Sequence, residues 1–557
     1  MLKLVECVPN FSEGRDQSII DAIARAIEST DEVTLLDVDP GADTNRTVIT
    51  FIGSPQGAKE AAFQAIKKAA ELIDMRTHHG AHPRMGATDV CPFVPVSGVT
   101  TEECIELAKE LGQRVADELK IPVYLYEKAA TSPERSNLAD IRSGEYEGLA
   151  DKLKDENWRP DFGEPVLNEN SGATVIGVRE FLIAYNINLN TKDRKLASEI
   201  ALTLREKGRI KRDENGKFVR DENGTPVRTQ GRLKSCKAVG WFIDEYGQAQ
   251  ISMNLVNYKE TPVHVAFDAA CEEADKIGLR VTGSELVGLI PLAAMRQAGV
   301  HYLQKQGRST GVPEEELIDI AVKSLGLNDI SEFDPAKKII EYRVSEQKGP
   351  LVKMDLRDFT NELSIDSPAP GGGSVAALAG ALASALASMV ANLTIGKKGY
   401  EDVREKMIDT AVNAQRIKDE LLKSIDRDTA AFNELMGAFR LPKKSEEEIA
   451  IRNDAIEDAT RKATNIPFEV MKTSVDALKL IQPIAQHGNI NAMSDAGVAA
   501  LMGLSSVKGA GLNVRINLPS VQDNSFKETM TKEMTNLIQQ AQSLYDTIMN
   551  IVDERME

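Results

Sequence analysis

Cysteine is scarce in this sequence, with five residues in 557: Cys7, Cys91, Cys104, Cys236 and Cys271. Their number is odd, their spacings are wide and no CxxC occurs. The pattern argues against a disulfide framework or a zinc ribbon, and a reducing, cytoplasmic setting is expected. Positive charge is also in deficit. Asp and Glu number 85 against 67 Lys and Arg, a net charge of −18. Such a chain lacks the basic footprint of a general nucleic-acid binder or of a protein that adheres to anionic membranes. The start, MLKLVECVPNFSEGR, has no charged segment followed by a long apolar one, so no signal peptide is expected. A single long apolar run, Ser374 to Ile395, could cross a bilayer by length. It is built from Ala, Ser and Gly with Asn392 inside, which suits a tightly packed core helix.

What remains is ordinary for a globular chain: 27% charged and 42% hydrophobic residues. The length implies roughly three to four domains. All five cysteines and both tryptophans, Trp158 and Trp241, precede residue 272, so the last half draws on a different palette. Three regions follow. In residues 1–180, LKLVECV, VTLLDVD, RTVITFIG, MGATDVCPFVPV and IPVYLY read as strands. Helices are expected over 16–29, 55–75 and 101–119, giving a split βαβ sandwich. Residues 181–345 repeat the style, with strands FLIAYNINL, KAVGWFID, QAQISMNLV and KIIEYRV and helices at LASEIALTLREKG and VHVAFDAACEEADKIG. Within them a doubled RDENG, with its Asn-Gly pairs, predicts a protruding hairpin over 209–230. Residues 346–355 read as a linker. Residues 356–557 read as an all-α helix bundle. The fold class is thus multidomain: two α/β subdomains, then a bundle.

Three candidate sites stand out. THHGAHPRMG gathers His78, His79, His82 and Arg84. Gly80 and Pro83 break any helix, and the glutamate of a zinc-protease motif is missing. No metal is expected. A general base is favoured over purely structural histidines, since imidazole titrates near neutral pH. Arg84 could hold an anion bidentately. Asp37 and Asp39 share a face of a strand, as turn formers or strand caps, or as partners for an imidazole or an amine. Asn45 and Arg46 follow at the same edge. In the bundle, PAPGGGSVAALAG places Gly371, Gly372 and Gly373 in a loop before a helix that Ser374 could cap, either a tight turn or an anion cradle. Further on, Met407, Ala411, Ala414, Leu421 and Ile425 form an apolar stripe. The stripe continues onto Asp428 and misses Asp426. A carboxylate on such a seam is desolvated and its pKa rises, which suits a general acid or else a structural bond to a helix end or a neighbouring chain. Asp495 could line the pocket, but capping of the helix that follows it is favoured. Gly380, Ser384 and Ser388 form a row of small residues, expected to permit close helix approach in a homo-oligomer.

The motifs VECVPNFSEG, LLDVDPGADTNRTV, HHGAHPRMGATDVCPF and SGATVIGVREFLIAYNINL resemble the transferase half of the formimidoyltransferase-cyclodeaminase family. PAPGGGSVAALAGAL, LLKSIDRDTAAF, RLPK and GNINAMSDAGVAA resemble its cyclodeaminase half. The resemblance covers nearly the whole chain. It implies transfer of a formimidoyl group from N-formimidoyl-L-glutamate to N5 of tetrahydrofolate, a co-substrate. Cyclisation to 5,10-methenyltetrahydrofolate with loss of ammonia would follow. It places the transferase catalytic residue on His82 and the cyclodeaminase residue on Asp428. The folate segment falls on Gly163, Glu164, Pro165, Val166, Leu167, Asn168, Glu169, Asn170, Ser171 and Gly172. It adds a dimer or a ring of dimers. The alternatives are a glutamate formyltransferase fused to a cyclohydrolase-like domain, or a folate-binding oligomer without turnover.

Overall fold

The computed structural model describes residues 3–41, 45–80, 83–243, 246–344, 349–366 and 369–557. Packing divides the chain into two compact units, Met1–Ala294 with Asp329–Val344 and Met295–Asn328 with Ser345–Glu557.

The first unit holds two sheets. Sheet one contains β1 (Leu4–Cys7), β2 (Asn10–Phe11), β3 (Val33–Gly41), β4 (Arg46–Gly53), β5 (Thr88–Ser97), β6 (Val123–Glu127) and β7 (Thr174–Val178). From one edge the order is β3, β4, then β1 and β2 end to end, then β5, β7 and β6. β7 is parallel to both its neighbours. Helices α1 (Gln17–Glu28), α2 (Pro55–Leu72) and α3 (Thr101–Leu119) are capped by Asp16, Ser54 and Thr100, the last with Glu103 in a capping box. They cover one sheet face over Val5, Cys7, Ile49, Phe51, Cys91 and Phe93. Strand alternation therefore turns Glu6 and Arg46 to the opposite face. Near β6 that face is covered by two short helices, α4 (Leu138–Ile141) and α5 (Leu149–Lys152), packed over Tyr124, Tyr126 and Val175.

Sheet two is antiparallel. After β8 (Ile183–Leu189) and α6 (Arg194–Leu204), β9 (Arg209–Ile210) pairs with β10 (Arg228–Thr229) as the base of the expected hairpin. β11 (Cys236–Ile243), β12 (Gln248–Leu255), β8 and β13 (Val281–Val287) are ordered as named, with α6 and α7 (Val263–Lys276) on one face. α8 (Leu292–Lys305) leads out of this unit and α9 (Glu314–Leu325) lies outside it. The chain returns in α10 (Pro335–Lys338) and α11 (Ile340–Val344).

Two strand expectations change. KIIEYRV is not the last strand: only Ile339 pairs, as a bridge to Ile290, between two helical turns. Asp334 caps α10 and Pro335 fixes its first turn, so a helix start overrides the β-branched run. The last strand is β13. In sheet one, TVIGV inserts as β7 between β5 and β6. It is buried throughout, and a continuous apolar run is what a parallel strand requires.

The second unit is helical: α8 in large part, α9, α12 (Leu356–Ser364), α13 (Gly372–Thr394), α14 (Arg404–Phe439), α15 (Glu446–His487), α16 (Met493–Asn517) and α17 (Asn524–Met556). Residues 295–328, read from the sequence as part of the second α/β region, cluster here. The Gly311 carbonyl accepts from Asn392 Nδ2 (2.8 Å) and Ser388 Oγ (3.2 Å), and Arg404 donates to the Gly307 carbonyl at 2.6 Å. The small-residue row of α13 is buried inside the bundle. A Cβ at Gly380 would stand 2.6 and 2.8 Å from the Ser474 and Ser506 hydroxyls and 2.9 Å from the Leu421 side chain.

Candidate active sites

The histidine loop is held by hydrogen bonds with a fixed direction. Asn45 has a left-handed backbone (φ 49°), which Asn tolerates. It accepts from Gly14 N at 3.0 Å and donates to the His79 carbonyl at 3.1 Å. Arg84 Nε donates to His78 Nδ1 at 3.2 Å, so His78 carries its proton on Nε2 and donates it to the Asn45 carbonyl at 2.9 Å. Burial and the neighbouring Arg84 cation hold the His78 pKa below its usual value, although the Asn45 bond opposes them. His78 is therefore a neutral structural histidine with neither nitrogen free. His79 is exposed. His82 lies outside the described residues.

Arg84 does not do what the sequence suggested. Its other donors go to Glu145 (2.9 Å), to both Glu147 oxygens (3.0 and 2.7 Å) and to the His78 carbonyl (3.3 Å). A guanidinium has five N–H groups, and all five are spent on the protein. Arg84 positions the loop and has no donor left for a substrate anion. The loop borders a cavity of about 420 Å³ that Gly80, Gly144, Glu145 and Glu147 also line.

The segment 163–172 runs onto this loop. Gly172, with φ 67°, bridges Gly86, and a Cβ there would fall 2.1 Å from the Met85 carbonyl. Ser171 and Gly172 are buried; Val166, at 67% exposure, and four other residues of the segment are exposed. Arg46 donates to Asn10 Oδ1 at 2.5 Å. Burial draws its pKa below the ordinary arginine value, against the pull of Asp89. Asp37 and Asp39 are exposed, opposite Thr50 and Val48 in the β3–β4 ladder. The structure thus joins Asn45, Arg84 and the 163–172 segment around the loop, with Arg46 adjacent in sequence. Asp39 is exposed on the edge strand β3, two ladder steps from the Gly41–Arg46 pair.

A buried acid and a polar network of this unit were not foreseen from the sequence. Glu6, 4% exposed between buried strand neighbours, has its pKa pushed up to about 7 by burial, with Arg179 opposing. On sheet two, Trp241 Nε1 donates to Gln250 Oε1 (2.9 Å). Gln250 Nε2 donates to Asn188 Oδ1 (2.8 Å), and Asn188 Nδ2 to Asp329 (2.9 Å). Asn186 donates to Glu285 at 3.1 Å. An indole only donates and a carboxylate only accepts, so every amide orientation in the chain from Trp241 to Asp329 is set. The alternating asparagines of YNINL were the available signal.

In the helical unit the carboxylate of Asp428, on α14, meets the first turn of α13. Ser374 Oγ lies 3.4 Å from Oδ2 and donates to the Ile425 carbonyl at 2.9 Å. Burial raises the Asp428 pKa, while bonds from the Ser374 hydroxyl and backbone N–H lower it less. The glycine reading is corrected here. Gly371 is the N-cap residue, whereas Gly372, Gly373 and Ser374 are already helical, and Ser374 caps nothing. Asn513 of α16 approaches the same turn, 3.5 Å from the Cβ position of Gly372. Asp426 does separate work: its oxygens accept from the backbone N–H of Leu351 (2.9 Å) and Val352 (3.3 Å). Asp495 lies in the first turn of α16 and makes no side-chain hydrogen bond among the described residues, so it favours the helix start by charge alone.

Comparison with known proteins agrees along the whole chain. Residues 4–179 match the model of the formiminotransferase domain, N-terminal subdomain, residues 184–345 that of the formiminotransferase domain, and residues 355–536 that of formiminotransferase-cyclodeaminase. A formimidoyltransferase-cyclodeaminase of Dictyostelium discoideum is 44% identical over 561 residues, covering all of both chains. A glutamate formimidoyltransferase of Streptococcus pyogenes is 43% identical over 55% of this chain and 94% of its own. A methenyltetrahydrofolate cyclohydrolase of Methylorubrum extorquens is 36% identical over 36% of this chain and 97% of its own. With two α/β sheets in one unit, a half-buried aspartate facing a helix start in the other and these full-length matches, the chain belongs to the formimidoyltransferase-cyclodeaminase family.

Proposed function

We propose that the two units perform consecutive reactions on one folate. In the first, N5 of tetrahydrofolate attacks the amidine carbon of N-formimidoyl-L-glutamate. His82 takes the N5 proton as the bond forms and returns it to the departing glutamate nitrogen. Asp39 steadies the cationic amidine, Arg46 meets substrate carboxylates and residues 163–172 receive the folate. His82 is favoured for the proton because His78 has both nitrogens committed.

In the second, N10 adds to the formimidoyl carbon. Asp428 in its protonated form donates to the leaving amine, ammonia departs, and the carboxylate accepts the N10 proton. The observation that carries this reading is the desolvated Asp428 against the first turn of α13. Gly371, Gly372 and Gly373 let substrate approach that turn closely. Incubation with N-formimidoylglutamate and tetrahydrofolate tests both steps, by the methenyl absorbance and by ammonia. The similarity to a cyclohydrolase favours one second reading, formyl transfer followed by hydrolysis. Turnover of N-formylglutamate to a formyltetrahydrofolate, without ammonia, would establish it.

The cytoplasm is the proposed setting, supported by the odd number and wide spacing of the cysteines. Net charge of −18 supports small-molecule partners over nucleic acid or membranes. A homo-oligomer, a dimer or a ring of dimers, is supported by apolar side chains on the outside of two helices. On α13 these are Leu382 (48% exposed), Met389 and Leu393. On α16 they are Val498, Leu501, Leu512 and Ile516. Sedimentation at assay concentration tests it, and a monomeric mass would reject it.

A further inference from the structure

The doubled RDENG hairpin closes a basic cavity lined by none of the residues assigned above to either reaction. The cavity, of about 520 Å³, lies between the end of α6 and the hairpin base. Arg205, Arg209, Lys211, Arg212 and Arg228 line it, with Glu199 as the single carboxylate. Five cations gather around one small space in a chain of net charge −18, and like charges so collected repel one another.

The local acids do not neutralise them, because the repeat spends its aspartates on its own turns. Asp213 accepts from the backbone N–H of Asn215 (3.0 Å) and Lys217 (2.8 Å), and Asp221 from those of Asn223 and Thr225 (2.9 Å each). Gly216 and Gly224 supply the left-handed positions at these turns. Arg209 is partly matched by Glu199 at 3.0 Å, and Arg212 lies 4.5 Å over the Phe218 ring. Lys211 and Arg228 are exposed and make no side-chain hydrogen bond or ion pair among the described residues.

The frame around them is tight. Lys211 N bonds Val227 O, Val227 N bonds Val219 O and Val219 N bonds Lys211 O, all at 2.8–2.9 Å, so three short segments close on one another. At the base, Gly208 has φ 60°, and a Cβ there would fall 1.8 Å from the Thr229 carbonyl. The cations are therefore presented by a fixed backbone.

We infer that this cavity is a binding site for a small oligoanion, a molecule carrying several carboxylates or phosphates in a row. Each anionic group would accept charge-assisted hydrogen bonds from Lys211, Arg228 and the open edges of Arg205 and Arg212.

Calorimetric titration of the full chain with inorganic tripolyphosphate, and separately with tri-γ-glutamate, tests the site. At least one probe should bind, more weakly as salt rises. The Lys211→Gln, Arg228→Gln double variant should weaken it at least roughly tenfold, the scale of one lost charged hydrogen bond. Formimidoyl transfer should be unchanged. Which probe prevails tells phosphate from carboxylate. The charge-conserving pair Lys211→Arg, Arg228→Lys should retain binding, which separates loss of charge from loss of fold. If neither probe binds at millimolar concentration, or if the Gln variant binds as wild type does, the inference is overturned.

Discussion

Gly373 touches the carboxylate of Asp428: a Cβ on residue 373 would stand 2.1 Å from Oδ1 and 2.4 Å from Cγ. Both atoms lie where two helices meet, so neither can retreat cheaply. Gly373→Ala should displace the carboxylate at a cost of about 1–3 kcal/mol, the usual scale for overpacking. Ammonia release should fall at least about tenfold while transfer to N5 continues. Undiminished ammonia release would mean that the chemistry lies elsewhere.

Asp428 and Asp426 should separate activity from stability. Asp428→Asn removes the transferable proton and should let 5-formimidoyltetrahydrofolate accumulate. Asp426→Ala strands the N–H groups of Leu351 and Val352 and should lower stability by roughly 1–3 kcal/mol, with the second reaction largely intact. Thermal melts beside ammonia assays read both. Equal effects of the two substitutions on ammonia release would reject the assignment.

The histidines should divide in the same way. His82→Ala should reduce transfer by about 10²–10⁴-fold, the scale for a lost acid–base group, without changing the melting temperature. His78→Ala removes the acceptor of Arg84 Nε and the donor to Asn45, so it should melt lower. Near-normal transfer by the His82 variant would return the role to His79.

Glu6 should leave a signature in the pH dependence of stability. Its folded pKa, about 7, lies above its unfolded value. Below roughly pH 4 both states hold the proton and nothing is lost. Between there and pH 7 the unfolded state ionises first, so stability declines as pH rises. Glu6→Gln should lack that slope and be the more stable protein above pH 7, by on the order of 3 kcal/mol or less. Parallel denaturation curves for the two proteins at pH 5 and pH 8 would contradict the burial of an acid at this position.

What could be read from the sequence was what repeats at short range. The stripe Met407, Ala411, Ala414, Leu421, Ile425 is buried as its spacing requires, and beyond it burial raises the Asp428 pKa while Asp426 serves the backbone of Leu351 and Val352. The helices over 17–28, 55–72 and 101–119 carried their own caps. Long-range partners were not legible. Arg84 finds Glu145 and Glu147 some sixty residues away, and with them it changes from an anion receptor into a loop brace. Ser374 looked like a cap because the glycines before it looked like loop. Once Gly372 and Gly373 are wound into the helix, the same hydroxyl faces Asp428. The amide chain on sheet two joins residues as far apart as Asn188 and Asp329, which no local period can show.

The assignment of residues 295–328 to the helical unit bears on how the chain matures. Synthesis delivers this strip before α13 and α14 exist. Until they arrive, the Gly311 carbonyl lacks the Asn392 and Ser388 donors, and Gly311 lacks the Ala411 surface it is shaped to meet. The strip is thus an early instalment of a late-forming bundle. A break in the polypeptide near residue 347 would part it from its destination. Fragment 349–557 by itself should melt below fragment 295–557, and adding the strip as a separate peptide should restore part of the difference.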